Sequence, residues 1–186
     1  MEKKQLIKID FVNEFEIKEK VKIELNNLLS ICFPDTIYNK RTYFKQLPHY
    51  RLIMKLDNKV IGQLGIDYRV MNLNGNLIKV FGVIDLAVHP NFQKKGFGIN
   101  LMKELELIAI KNKQNIDFIF LTTDNTLFYE KIGYIKTINK VDWLKIDQGK
   151  NYGLGSEVIN DSILMFKKIG IKNWKDGELD MLGYWY

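Results

Sequence analysis

The stretch Leu86-Ala87-Val88-His89-Pro90-Asn91-Phe92-Gln93-Lys94-Lys95-Gly96-Phe97-Gly98-Ile99 has the residue types and order of an anion site. An apolar strand runs into a turn, and the turn opens a helix. Gly96 and Gly98 remove side chains where a ligand could approach the backbone. The first N–H groups of a helix have no intrahelical partner and, with the helix dipole, attract negative charge. Gln93 adds a neutral hydrogen bond, and Lys94 and Lys95 add two point charges, a set suited to a pyrophosphate. On the glycines alone, an ordinary strand-to-helix turn is the better reading. A Walker loop requires Gly-Lys-Ser/Thr, whereas Lys95 precedes Gly96 here, and the dinucleotide fingerprint fails because Leu101 holds the place of its third glycine.

The whole pattern, an apolar strand, Val-x-Pro, an aromatic, then Gln-x-x-Gly-x-Gly, closely resembles motif A of the GNAT superfamily of N-acetyltransferases. That resemblance implies acetyl-CoA as co-substrate. Backbone amides from Gln93 through Lys94, Lys95, Gly96, Phe97 and Gly98 to Ile99 would hold the CoA pyrophosphate. The strand Leu86-Ala87-Val88 would pair with the pantetheine arm, and the Val88 N–H would polarise the thioester carbonyl. Downstream, Leu127-Phe128-Tyr129-Glu130-Lys131-Ile132-Gly133-Tyr134 resembles motif B, with Tyr134 in place of the usual Phe. The resemblance makes Tyr129 the general acid that protonates the departing thiolate; a phenol with a pKa of about 10 suits that task. Packing on the sheet is its alternative role, and Phe128 is expected to pack there too. Phe128 and Asn125 are further cofactor-side candidates. Asn125 lies closer to the tyrosine than the family asparagine does, which favours a helix cap.

An alkyl ammonium must lose a proton before it can attack a thioester, and Asp85 is the carboxylate nearest the cofactor strand. Ile84, one residue earlier, is apolar, and a one-residue offset on a strand reverses the side-chain direction, so regular alternation turns Asp85 away. Water or an already neutral amine is the alternative. Cys32 lies in apolar sequence far along the chain from the motifs and reads as a small hydrophobe, not a nucleophile. His49 and His89 have no partners at metal spacing, so no metal site is expected. Direct transfer in a ternary complex follows, in which alignment of amine and thioester supplies most of the gain.

The segment 174–186 carries three carboxylates, one lysine and four aromatics, opposite in charge to the rest of the chain. Carboxylates beside aromatic faces suit a cationic amine; equally, the aromatics could pack a terminal strand on the core. A weaker resemblance to the aminoglycoside 2'-N-acetyltransferases in Trp174-Lys175-Asp176-Gly177-Glu178 implies acceptor contacts by Glu178, with Asp180 beside it. The expected acceptor is a small cationic amine. A protein or peptide acceptor, or a module that only binds CoA, are the other readings.

The elements that position these residues are a strand over Leu6–Val12, then a helix with Ile17, Val21, Leu25, Leu28 and Leu29 at helical spacing, stopped near Pro34. Three strands follow, at 52–56, 60–70 and 77–88. Asp57-Asn58-Lys59 and Asn74-Gly75 punctuate them as hairpin turns. A helix begins near Gly96 with Leu101, Met102, Leu105, Ile108 and Ala109 as its apolar stripe. A strand at 116–122 precedes a short helix capped by Asp124 or Asn125, running to Lys131 and closed by Gly133. Strands are expected at 141–146 and 162–169, with a glycine-rich loop at Gln148–Gly155. This order predicts a mixed α/β fold, GNAT-like, with a mostly antiparallel central sheet flanked by helices. One domain over 1–186 is expected, with 141–186 as its acceptor-side extension.

Composition agrees with a folded domain: 46% hydrophobic and 12% aromatic residues can fill a core. The apolar runs are too short for a membrane span, and Met1–Gln5 leads into charged sequence, so a cytoplasmic protein is expected. Cys32 is the one cysteine, which excludes an internal disulfide. The net charge of +6 comes from lysines scattered among acidic residues, with three arginines and no basic stripe. That distribution argues against nucleic acid as a partner. A homodimer stays open.

Overall fold

The structure, a computed structural model, describes residues 6–159 and 163–186. Met1–Gln5 and Ser162, the first residue of a predicted strand, lie outside the described residues. The chain divides into two compact units, one of residues up to Ile66 with Ile84–Leu105, the other of Asp67–Val83 with Glu106–Tyr186.

In the first unit β1 (Ile7–Asn13) pairs antiparallel with β2 (Tyr50–Leu56), and β2 with the first half of β3 (Lys59–Leu73). Asp57 and Asn58 take φ of 47° and 67°, the left-handed pair of a two-residue hairpin turn. α1 (Glu19–Cys32) buries Leu25, Leu28 and Leu29 of the predicted stripe with Val21 partly buried, whereas Ile17 lies before the helix at the end of a 3-10 turn; Pro34 follows the end of α1. Leu25 packs with Ile17 and Ile53, while Leu28 and Leu29 pack with Tyr38 and Ala87. Ala87 belongs to β4 (Asn76–Val88), whose last residues lead through a 3-10 turn at Pro90–Phe92 into α2 (Phe97–Lys111). Leu101, Met102 and Leu105 of α2 are fully buried.

The second unit carries a sheet in the order β6 (Ile135–Lys136), β9 (Leu164–Lys168), β5 (Phe118–Thr122), β4, β3, β10 (Gly177–Tyr184), β7 (Asn139–Asp147), β8 (Lys150–Ile159). The pairs β4–β5 and β10–β7 are parallel; β10–β3, β5–β9, β6–β9 and β7–β8 are antiparallel. Its core joins Met71, Ile78, Val80, Phe118, Phe120, Leu179 and Met181, among others. The fold is mixed α/β with a mostly antiparallel sheet, as the element order predicts.

One expectation fails here, and one of the two roles left open for the terminal segment is seen. The loop predicted at Gln148–Gly155 is only the two-residue turn Gln148-Gly149, and β8 starts at Lys150. The glycines misled because Gly155 sits in the strand for another reason. It pairs with Trp143, and a Cβ there would lie 2.4 Å from the indole, so glycine is the seat of a cross-strand aromatic. The terminal aromatics, moreover, are packed. Trp174 stacks on Phe120 and Phe166 with centroids 5.5 and 4.7 Å apart, and its Nε1–H donates to Thr137 Oγ1 at 2.7 Å. β10 is an interior strand between β3 and β7.

Candidate functional site

The turn ahead of α2 is braced by its own side chains. The N–H of Asn91 donates to His89 Nδ1, and the rings of His89, Phe92 and Phe97 pack in sequence with centroids 5.8 and 6.5 Å apart. Gln93 Nε2 donates back to the Val88 carbonyl at 2.9 Å, and Lys95 Nζ to the Asn91 carbonyl at 3.1 Å. Gln93 and Lys95 thus hold the loop in shape, a part the sequence reading did not give them. Lys94 and Gly96 take φ of 60° and 82°, and the N–H of Asn100 bonds to the Gly96 carbonyl as α2 begins. Alternation of left-handed residues with a helix start turns successive N–H groups toward one concavity, a form that binds phosphate oxygens. The residues therefore fit the CoA pyrophosphate that motif A implies. A Cβ added at Gly96 would meet no protein atom within 4 Å, so within the protein glycine is required there for its backbone angle.

Val88 ends the strand with its carbonyl also accepting from Cys32 Sγ at 3.4 Å. Distance along the chain therefore misplaced Cys32, which is half-buried beside the cofactor strand. Burial pushes its thiol up, away from the thiolate a nucleophile needs.

Asp85 has φ of 49°, left-handed within β4 near its end. A left-handed residue resets the alternation of a strand, so the argument that an offset of one turns Asp85 away does not apply. Tyr38 lies within reach of its carboxyl, and Arg51 and Lys45 are close enough to act on its charge. Burial nevertheless outweighs them and raises the carboxyl above the usual range, the direction that suits a base working near neutrality. Behind it, Arg51 is 1% exposed and Gln63 0%. Arg51 pairs with Glu14 through Nε at 2.6 Å and Nη2 at 3.3 Å, donates to the Thr42 carbonyl at 2.6 Å, and through Nη1 to Gln63 Oε1 at 2.7 Å. Gln63 Nε2 donates to the Asp85 carbonyl. Buried charges of this kind persist only when every donor and acceptor is satisfied. Sequence reasoning passed over Arg51 and Gln63, although a polar residue inside Leu- and Ile-rich strands is itself the signal.

In the second unit α3 (Thr126–Glu130) buries Tyr129 at 7% exposure, edge-on to Phe128 and Tyr134 with centroids 4.8 and 5.7 Å away. Burial pushes its phenol up, so it stays protonated through the neutral range. Phe128 is half-exposed. Asn125 stands at the N-cap of α3 without a side-chain cap bond; instead its N–H donates to Thr123 Oγ1 at 3.0 Å, so the predicted cap is one of position only. Glu178 is exposed and 3.9 Å from Lys140 Nζ, while Asp180 Oδ1 accepts from the Leu182 N–H at 2.8 Å. The structure thus groups Asp85, Leu86, Ala87, Val88 and Gln93 through Ile99 in one unit. It places Asn125, Phe128, Tyr129, Glu178 and Asp180 in the other.

Residues 48–136 match the sequence profile of the acetyltransferase (GNAT) domain. The chain carries a GNAT domain. Within it fall Arg51, Gln63, Asp85, the turn before α2 and Tyr129; Tyr38 and β10 lie outside. No curated protein matches the sequence. Among solved structures, Tetrahymena GCN5 aligns at 22% identity over 87% of this chain and 96% of its own, with a TM-score of 0.56. The Escherichia coli GNAT family N-acetyltransferase YhbS, solved in complex with CoA, aligns at 15% identity over 95% and 88%, with a TM-score of 0.54. A probable N-acyltransferase of unknown function from Enterococcus faecalis aligns at 18% identity over 72% of this chain, with a TM-score of 0.56. The chain spans about a third of the length of that protein and of the next two structures it matches. These likenesses show the GNAT fold.

Proposed function

We propose that the protein transfers the acetyl group of acetyl-CoA directly to the primary amine of a small cationic acceptor. The observation that carries this reading is the turn before α2, where Lys94 and Gly96 bend the backbone into an anion cradle on the strand that also holds Asp85. Acetyl-CoA, when bound, supplies the acetyl thioester. The amides of Gln93 through Ile99 bind its pyrophosphate, and the backbone of Leu86, Ala87 and Val88 receives the pantetheine arm. Asp85 takes the proton from the acceptor ammonium, freeing the nitrogen lone pair for the carbonyl carbon. Tyr129 gives its phenol proton to the sulfur as the C–S bond breaks. Phe128 and Asn125 border the cofactor, and Glu178 and Asp180 are the acceptor-side carboxylates, with 141–186 as the acceptor-side part of the chain.

Calorimetry with CoA and a thiol-release screen over aminoglycosides, polyamines and peptides test this reading. Binding of CoA with turnover on a polyamine or aminoglycoside is expected. Absence of CoA binding removes the cofactor assignment, and turnover on peptides alone replaces the small acceptor with a polypeptide.

A further inference from the structure

The connection between α1 and β2, residues 33–49, is long for a segment without regular elements, and such segments usually carry function. It contributes Tyr38, which is 3% exposed and packs with Leu28, Leu29 and Ala87. The phenol of Tyr38 lies within reach of the carboxyl of Asp85 and is placed to donate to it. At the other end of the same residue, Gln63 Nε2 holds the Asp85 carbonyl, and Gln63 is itself fixed by Arg51 and, through it, by Glu14. Asp85 is therefore approached twice, by side chain and by main chain. A non-glycine residue at φ of 49° persists where its surroundings over-determine it, and such residues concentrate at working sites.

We propose that Tyr38 is a positioning residue for Asp85, orienting its carboxylate for proton transfer while Gln63 fixes the backbone beneath it. The inference rests on the reading of Asp85 as the base. Tyr38 is suited to donate and not to ionise, since burial and the neighbouring carboxylate both push its phenol up. The charged and titratable groups around the pair are Arg51 from β2, Lys45 from the 33–49 connection, and Cys32 from α1, which lies by Tyr38. Arg51, Lys45 and the Tyr38 hydroxyl all favour the ionised carboxylate; burial opposes them. A bond from Tyr38 to the carboxylate adds direction to that balance, because it occupies one lone pair and leaves the others facing away from Tyr38.

The test is an NMR titration of the full chain labelled with 13C at the aspartate carboxyls, the Asp85 signal being assigned by its loss in Asp85→Asn. Tyr38→Phe keeps the ring in its packing and removes the donor. The Asp85 midpoint is expected to rise by roughly one unit, the size of a hydrogen bond to a charged group. CoA affinity measured by calorimetry should stay unchanged. A midpoint that does not move overturns the role given to Tyr38. A midpoint that moves while Asp85→Asn still acetylates spermidine at the wild-type rate throughout the neutral range overturns the base reading instead, and with it any part for Tyr38 in the reaction. Cooperative thermal melts of both variants establish that the comparison is between folded proteins.

Discussion

In the proposed reaction Asp85 and Tyr129 would divide the proton chemistry between a carboxyl and a phenol that burial pushes up from ordinary values. For Asp85 the sign of the effect gives two expectations. As the proposed base it would act when ionised, so kcat/KM should rise with pH through its folded-state pKa, and Asp85→Asn should lose that limb in a pH–rate profile. Being raised, it favours folding only in the protonated form. That contribution is complete below the unfolded value of about 3.9 and is lost as pH climbs through the folded value. Asp85→Asn should therefore gain stability relative to wild type between acidic and neutral pH, which thermal melts at both will show. For Tyr129→Phe, kcat should fall by about 10²- to 10⁴-fold, the usual worth of a general acid, with CoA affinity unchanged. An undiminished kcat would leave the thiolate to solvent. What could be read at this scale from the sequence was residue identity, not direction. Asp85 was visible as a carboxylate beside the cofactor strand, but the left-handed angle that points it at Tyr38 depends on Gln63 and Arg51, contributed by other strands.

Elements were legible wherever their chemistry is local. The turns at Asp57-Asn58 and Asn74-Gly75, the stripe of α2 and the turn before it are all written in contiguous residues, and the structure has each of them. β8 was not legible, because the glycine that looks like a loop signal is explained by Trp143 on the neighbouring strand. The cradle yields a sharper prediction than its motif does. Since no protein atom lies within 4 Å of a Cβ at Gly96 and its φ is 82°, Gly96→Ala and Gly96→Leu should cost stability alike. Each should cost about 1–2 kcal/mol from the backbone angle, as urea unfolding can measure. A much larger loss of CoA binding for leucine, read by calorimetry, would mean that space for the ligand matters there as well.

For the molecule as a whole, the informative feature is the place of β10. The terminal segment stood out in the sequence by charge and aromatic content, which left two roles open, acceptor binding and core packing; its rings and Leu179 and Met181 are core. A chain ended at Asp176 should lose the near-ultraviolet circular dichroism of its buried aromatics and its cooperative unfolding, since β3 and β7 would each lose a ladder partner. Retention of both would make β10 an accessory. The same placement sets a clock on synthesis. Glu178 must reach Asn74, 104 residues earlier, before the sheet of the second unit can close. At ribosomal speeds that interval is about 5 to 20 seconds. Throughout it the apolar face around Met71 waits uncovered, and that around Val141 joins it once made, so the folded yield should depend on how fast the codons for β10 are read.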